Sequence, residues 1–176
     1  PETGVNKYEI LRKLTSARAK FGLSDRALSV LQALLSFHPE TELNANGKPL
    51  TVFPSNASIC ERLNGMACST MRRHLAVLVD TGLIVRRDSP NGKRYVKRYS
   101  GAPQAFGFDL TPLVTRLDEI SELARDAREV IEEMDRLKRS VSLMRRDLAG
   151  LAELGADMHP ERAIWDAFSD AALLAA

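Results

Sequence analysis

The chain is poor in the residues that build metal sites and covalent chemistry. It has two cysteines, Cys60 and Cys68, and three scattered histidines, His38, His74 and His159, in 176 residues. That spacing makes no zinc-ligand set, and two thiols suit a reducing compartment better than a disulfide framework. There is no apolar run of membrane-spanning length. There are no repeats, low-complexity tracts, Gly-rich phosphate loops or nucleophile elbows. The start, PETGVNKYEI, has neither a leader pattern nor an initiator Met, and reads as an excerpt of a longer cytoplasmic protein. Cys68 stands beside basic residues without a base placed to use it, Cys60 reads as core, and Glu132-Glu133 reads as a solvated pair. No enzyme activity, cofactor, metal or small-molecule substrate is expected.

Positive charge is scarce only on average. Hydrophobic residues make up 44% and charged residues 27%, as in a globular domain, and the net charge is +2. Yet residues 67–100 hold eight Lys/Arg against two acids, while residues 111–162 hold nine against twelve. A basic patch and an acidic segment are hidden in one mild total.

Helical spacing of Ile10, Leu11, Leu14, Ala17 and Phe21 predicts a first helix, capped by Asn6 and stopped by Gly22. Ser24 caps a second, with Asp25 in its first turn. This helix is apolar around most of its circumference and ends at Pro39, so it should be the centre of the core. LTVF (50–53) is a short strand. Ser55 caps a third helix to about Leu63, Asn64-Gly65 turns the chain, and a fourth helix spans 68–81, closed by Gly82. Strands 83–87 and 93–99 then flank a Pro-Asn-Gly turn, as a hairpin. AFGFDL (105–110) is a last β-like piece before a helix start at Thr111-Pro112, with Thr as N-cap. A helix-turn-helix followed at once by a hairpin is the winged helix-turn-helix arrangement.

On a wheel of about 100° per residue, Met71, Leu75, Leu78 and Val79 form the inner side of helix 68–81. Ser69, Arg73, Ala76, Val77 and Asp80 form the outer side, with Thr70 beside it and Arg72 and His74 on the flanks. Small polar residues near the start of such a helix permit close approach to a major groove. Ser69, Thr70 and Arg73 are therefore the candidates for reading base edges. Asn56, Ser58, Arg72 and His74 are candidates for the DNA backbone. So are Arg86, Arg87, Lys93, Arg94, Lys97 and Arg98 of the basic wing 83–99. A polar helix face or a basic hairpin alone is ordinary solvated surface. The two in succession favour duplex DNA.

Beyond Pro112, Leu113, Leu117, Ile120, Ala124, Ala127, Ile131 and Met134 repeat at spacings of four and three. The stripe then changes phase to Leu137, Val141, Met144, Leu148 and Leu151. This helix, 111–152, either lies across its own domain or pairs with a second copy as a homodimer. In 153–176, a loop leads to a short helix whose Trp165, Phe168 and Leu173 should dock. The expected class is mainly α (α+β): a winged helix-turn-helix over 1–110, the long helix, and a short C-terminal helix.

HPET (38–41), VFPSNASI (52–59), TMRRHLAVLV (70–79), GLIVRRDSPNGKRY (82–95) and AFGFDLTPLV (105–114) closely resemble the RepC replication initiators of alphaproteobacterial repABC plasmids. The resemblance covers most of the chain from about Gly4 into the long helix, and matches the family's N-terminal, DNA-binding part. It implies an initiator that binds the plasmid origin in the bacterial cytoplasm, associated with plasmid and nucleoid. A Ser-Pro pair is expected at the start of the fourth helix in that family, where Ala67-Cys68 stands here. The alternative function is a winged-helix transcriptional regulator that binds an operator as a dimer.

Overall fold

A computed structural model describes residues 4–44, 50–89, 94–97 and 104–174. The fold is mostly helical with small antiparallel sheets, and divides into two compact units, Pro1–Ala127 and Arg128–Ala176.

The first unit begins with β1 (Val5–Asn6) and α1 (Lys7–Ala17), capped by the Asn6 side chain, which accepts from the Tyr8 amide. Ser24 likewise caps α2 (Asp25–Ser36) by accepting from Ala27. In α2, seven apolar residues from Ala27 to Leu35 are buried, which makes it the central helix. β2 (Glu42–Leu43) pairs back with β1, and β3 (Thr51–Val52) follows. Ser55 caps α3 (Asn56–Arg62). Asn64 and Gly65 then take left-handed conformations (φ 53° and 78°), and Gly65 donates to the Cys60 carbonyl. That turn releases α4 (Cys68–Asp80), which packs on α2 through Met71, Leu75 and Leu78.

The strands differ from the expected hairpin. β4 (Val85–Arg87) and β5 (Tyr95–Lys97) both pair with β6 (Gln104–Asp109), not with each other. β3 also joins β6, giving the order β3-β6-β4. The reason is apolar content. Phe106 and Phe108 are buried in β6, whereas Val85, Arg86 and Arg87 are exposed. The most apolar strand takes the centre and the basic strand takes an edge. Leu83 and Ile84, expected in the strand, are instead fully in the core, and their amides both donate to the Leu78 carbonyl at the exit of α4. Gly107 lets β3 lie close, since a Cβ there would press on the Val52 carbonyl and stand 3.0 Å from the Phe53 Cα.

The helix expected from 111 is two. α5 (Thr111–Thr115) starts from Leu110, one residue before the expected cap. The Asp109 carboxylate receives the Thr111 amide at 2.9 Å, together with its hydroxyl, and so does the capping. Arg116 leaves the helical conformation, donates to the Thr81 carbonyl at 2.7 Å and pairs with Glu119. α6 (Leu117–Met158) then begins and outlasts the expected end at 152. Leu113, Ile120 and Ala124 are fully buried, Leu113 and Ile120 in the core of this unit. Lys13 of α1 donates to Ser121 at 2.9 Å. Up to Ala124 the helix therefore lies on its own domain.

The second unit is the rest of α6 with α7 (Ile164–Leu174). Ala152 and Ala172 are buried, Arg145 donates to the Ala172 carbonyl at 2.7 Å, and the Trp165 ring packs against Gly155. Trp165 docks as expected. Leu173 does not; it is 70% exposed. No helix among the described residues is long and apolar enough to cross a membrane.

Candidate nucleic-acid interface

α4 begins without side-chain help. Its N-cap is Ala67, which offers no hydrogen-bonding side chain. The first-turn amides are therefore not claimed by a side-chain cap. Ser69 and Arg73 are exposed there, and Thr70 is half-buried beside them, its Oγ1 3.5 Å from the Arg73 Nη2. The three base-edge candidates thus share one end of one helix. Val77, placed outward on the wheel, is instead half-buried against the core.

Next to this face runs a groove of about 420 Å³. One wall is α4, through Arg72, Leu75, Ala76, Val79 and Asp80. The other is the sheet, through Arg86, Arg94 and Phe108, with Asn56 of α3 at the side. Four backbone candidates (Asn56, Arg72, Arg86 and Arg94) are therefore brought together. Their roles within the fold differ. Arg94 is turned inward: it donates to the Pro54 carbonyl at 2.7 Å and Asn56 Oδ1 at 3.0 Å, and lies 4.4 Å from the Phe108 ring centre. Burial, and then the nearby Arg86, push its pKa below the ordinary guanidinium value, against the pull of Asp88. Such a contact is partly stacking and partly cation–π. Arg86 is exposed and paired with the exposed Asp88 at 2.7 Å, a pairing that water screens and a phosphate can replace. Arg72 is exposed, its Nε donating to the Cys68 carbonyl.

Arg87 sits at the foot of the same edge strand, bound to Asp109. Burial alone would raise the Asp109 carboxyl, but hydrogen bonds from Thr111 and Arg87 outweigh it and hold the pKa below the usual carboxylate value. Ser58 is occupied in the α3 cap, its Oγ 2.8 Å from that of Ser55. His74 is half-buried; burial first, then Arg26 and Arg73, lower its pKa, so the free imidazole is neutral at pH 7. Lys93 and Arg98 lie outside the described residues, and for Lys97 only the backbone in β5 is described.

Two basic residues make long-range contacts that no sequence signal marks, and the first of them reaches the site. Arg26, exposed in the first turn of α2, reaches the electrostatic neighbourhood of His74. Arg62, at the end of α3, lies 3.8 Å over the Phe37 ring. Both relationships are long-range, and no local periodicity encodes them. Cys60 and Cys68 bring their sulfurs 2.7 Å apart across the turn between α3 and α4, both as free thiols. Among the described residues no group of three or more His, Cys, Asp or Glu is placed to hold a metal ion.

Comparison with known proteins identifies the family. Two curated relatives each bear the name "Putative replication protein C". The one from Sinorhizobium fredii (strain NBRC 101917 / NGR234) is 46% identical over 157 residues, which is 88% of this chain and 38% of the relative. The one from Rhizobium rhizogenes is 46% identical over 149 residues, 83% of this chain and 36% of the relative. The chain thus spans well under half the length of these relatives. No solved structure matches it. Residues 1–156 match the family model described as the replication protein C N-terminal domain. The match takes in the first unit and the second as far as residue 156, short of α7, and the chain belongs to the replication protein C family.

Proposed function

We propose that the first unit is a winged helix-turn-helix that binds duplex DNA at a plasmid replication origin, and that the protein to which it belongs initiates plasmid replication from there. Membership of the replication protein C family supports the role in plasmid replication. The strand order β3-β6-β4, with β3 before α3 and with β4 and β6 after α4, supports the winged-helix reading.

The observation that carries the proposal is the meeting of two surfaces. The exposed end of α4 bears Ser69, Thr70 and Arg73, and the groove beside it is lined by Arg72 and Arg86. In the proposed complex α4 enters the major groove and those three side chains meet base edges. Arg72 and Arg86 take phosphates on either side, and His74 and Ser58 stand where the backbone passes. Arg94 from within, and the exposed Arg87 through the buried Asp109, hold the sheet edge in position. Lys93, Lys97 and Arg98 complete the wing and add charge without reading sequence.

The test is fluorescence anisotropy of the 176-residue chain with an origin duplex and a scrambled duplex, across a salt series. The reading expects tighter binding to origin sequence and affinity that falls steeply with salt. Absence of salt dependence would remove the phosphate contacts and the proposal with them. A preference for a promoter operator over the origin would favour a regulator, as would an intact gene that fails to sustain an origin-bearing plasmid.

A further inference from the structure

The change of phase in the apolar stripe of α6 marks a change of partner. Ile120 and Ala124 are fully buried. From Val130 onward a second stripe runs through Met134, Leu137, Val141, Met144, Leu148, Leu151, Gly155 and Met158. Its steps alternate four and three without a break over about 42 Å of helix. Apart from Leu148 and Gly155 these side chains are between 45% and 67% exposed. α7 does not cover the stripe as a whole: beside it on α6 stand Ser142, Arg145, Ala149 and Glu153, together with Gly155. Seven large apolar side chains in register on one exposed face are far more than scattered surface hydrophobics.

The residues beside the stripe identify the partner. In heptad terms Met134, Val141 and Leu148 take position a, and Val130, Leu137, Met144 and Leu151 take position d. Val141 at a, between Leu137 and Leu151 at d, is the part of the seam that fits the two-stranded preference. Position g holds Glu133, Ser140 and Asp147; position e holds Ile131, Lys138 and Arg145. One edge is acidic and the other basic. A parallel pair of identical helices brings g against e′, and so Glu133 against Lys138 of the second copy, twice by symmetry. An antiparallel pair brings e against e′ and g against g′, opposing Lys138 with Arg145 and Glu133 with Asp147. Glu133 is paired within the chain with Arg136, an exposed pair at 3.0 Å that is easily exchanged.

We infer that residues 130–151 form a parallel two-stranded coiled coil with a second copy of this chain. The seam deepens the functional reading by bringing two copies of the first unit into one symmetric assembly. It does not rest on that reading.

Sedimentation equilibrium of the 176-residue chain over a wide concentration series tests it. The expected species has twice the 19.5 kDa chain mass. Leu137→Glu with Met144→Glu, both at exposed positions, should return the mass to one chain. Glu133→Lys or Lys138→Glu alone should each raise the dimer dissociation constant about tenfold or more, and the two together should restore it. A single-chain mass at every concentration overturns the proposal and assigns the stripe to another partner. So does a dimer indifferent to Leu137→Glu/Met144→Glu. A double reversal that fails to restore association overturns the parallel arrangement. A monomer that still prefers origin DNA would sink this inference alone; a dimer indifferent to DNA would sink only the DNA-binding reading.

Discussion

The Arg87 guanidinium donates twice to a single carboxylate oxygen of Asp109, at 2.9 and 2.6 Å. The other oxygen of Asp109 receives the start of α5. One buried acid thus ties the edge strand to the central strand and caps the following helix. Asp109→Ala removes all of these bonds and should cost about 2–3 kcal/mol in urea unfolding. Arg87→Ala should cost less, since Arg87 is largely solvated and the Thr111 donors remain. The folded pKa of Asp109 lies below its unfolded value, so this stabilisation is complete above the ordinary carboxylate range. It is lost as pH falls through that range toward the folded value. Urea midpoints of Asp109→Asn should therefore vary less with pH on the acid side than those of the unsubstituted chain.

Gly107→Ala places a methyl against the Val52 carbonyl, backbone that does not rotate away. The cost should be about 1–3 kcal/mol, with β3 displaced from β6. Amide exchange should show the loss concentrated at the Val52–Phe108 pairing. A fall in stability with exchange unchanged there would show that the strain is relieved elsewhere.

Arginines of one patch should separate by experiment. Arg73→Ala should lower affinity for the preferred sequence by about 1–3 kcal/mol with the melting temperature nearly unchanged. Arg72→Ala should weaken all sequences alike and reduce the salt slope by about one. Arg94→Ala should do the reverse of Arg73→Ala, lowering the melting temperature through loss of its bonds to Pro54 and Asn56 and its stacking on Phe108. Anisotropy and thermal melts on the same three variants distinguish the cases.

His74 offers a proton-linked check. In the free chain its pKa is held below 6.5 by burial and by Arg26 and Arg73. A phosphate beside it would raise that pKa, so complex formation would take up a proton. Affinity should then increase as pH falls from the raised pKa of the complex to the lowered pKa of the free chain and level off beneath it, and His74→Gln should flatten that dependence. Equal pH profiles for the two proteins would remove His74 from the backbone contacts.

Features set by neighbouring residues were legible in the sequence. Asn6, Ser24 and Ser55 cap the helices they precede, and Asn64-Gly65 and Gly82 turn the chain where expected, because each acts within four residues. Strand pairing was not legible: the hairpin reading joined the basic strands through the nearest turn, whereas burial of Phe106 and Phe108 decided the partner from further along the chain. The candidate site divides in the same way. Helical periodicity places Ser69, Thr70 and Arg73 together, since a single helix fixes their relation. It cannot distinguish Arg94, whose partners lie some forty residues away, from Arg86, whose partner lies two residues away.

Arg87 and Arg94 also bear on the segment between them. Arg87 is fastened to Asp109 and Arg94 to Pro54 and Asn56, so the strands on either side of residues 88–93 are each anchored independently of that segment. Substitutions confined to 88–93 leave both fastenings in place, so the frame on either side should tolerate a change of sequence there.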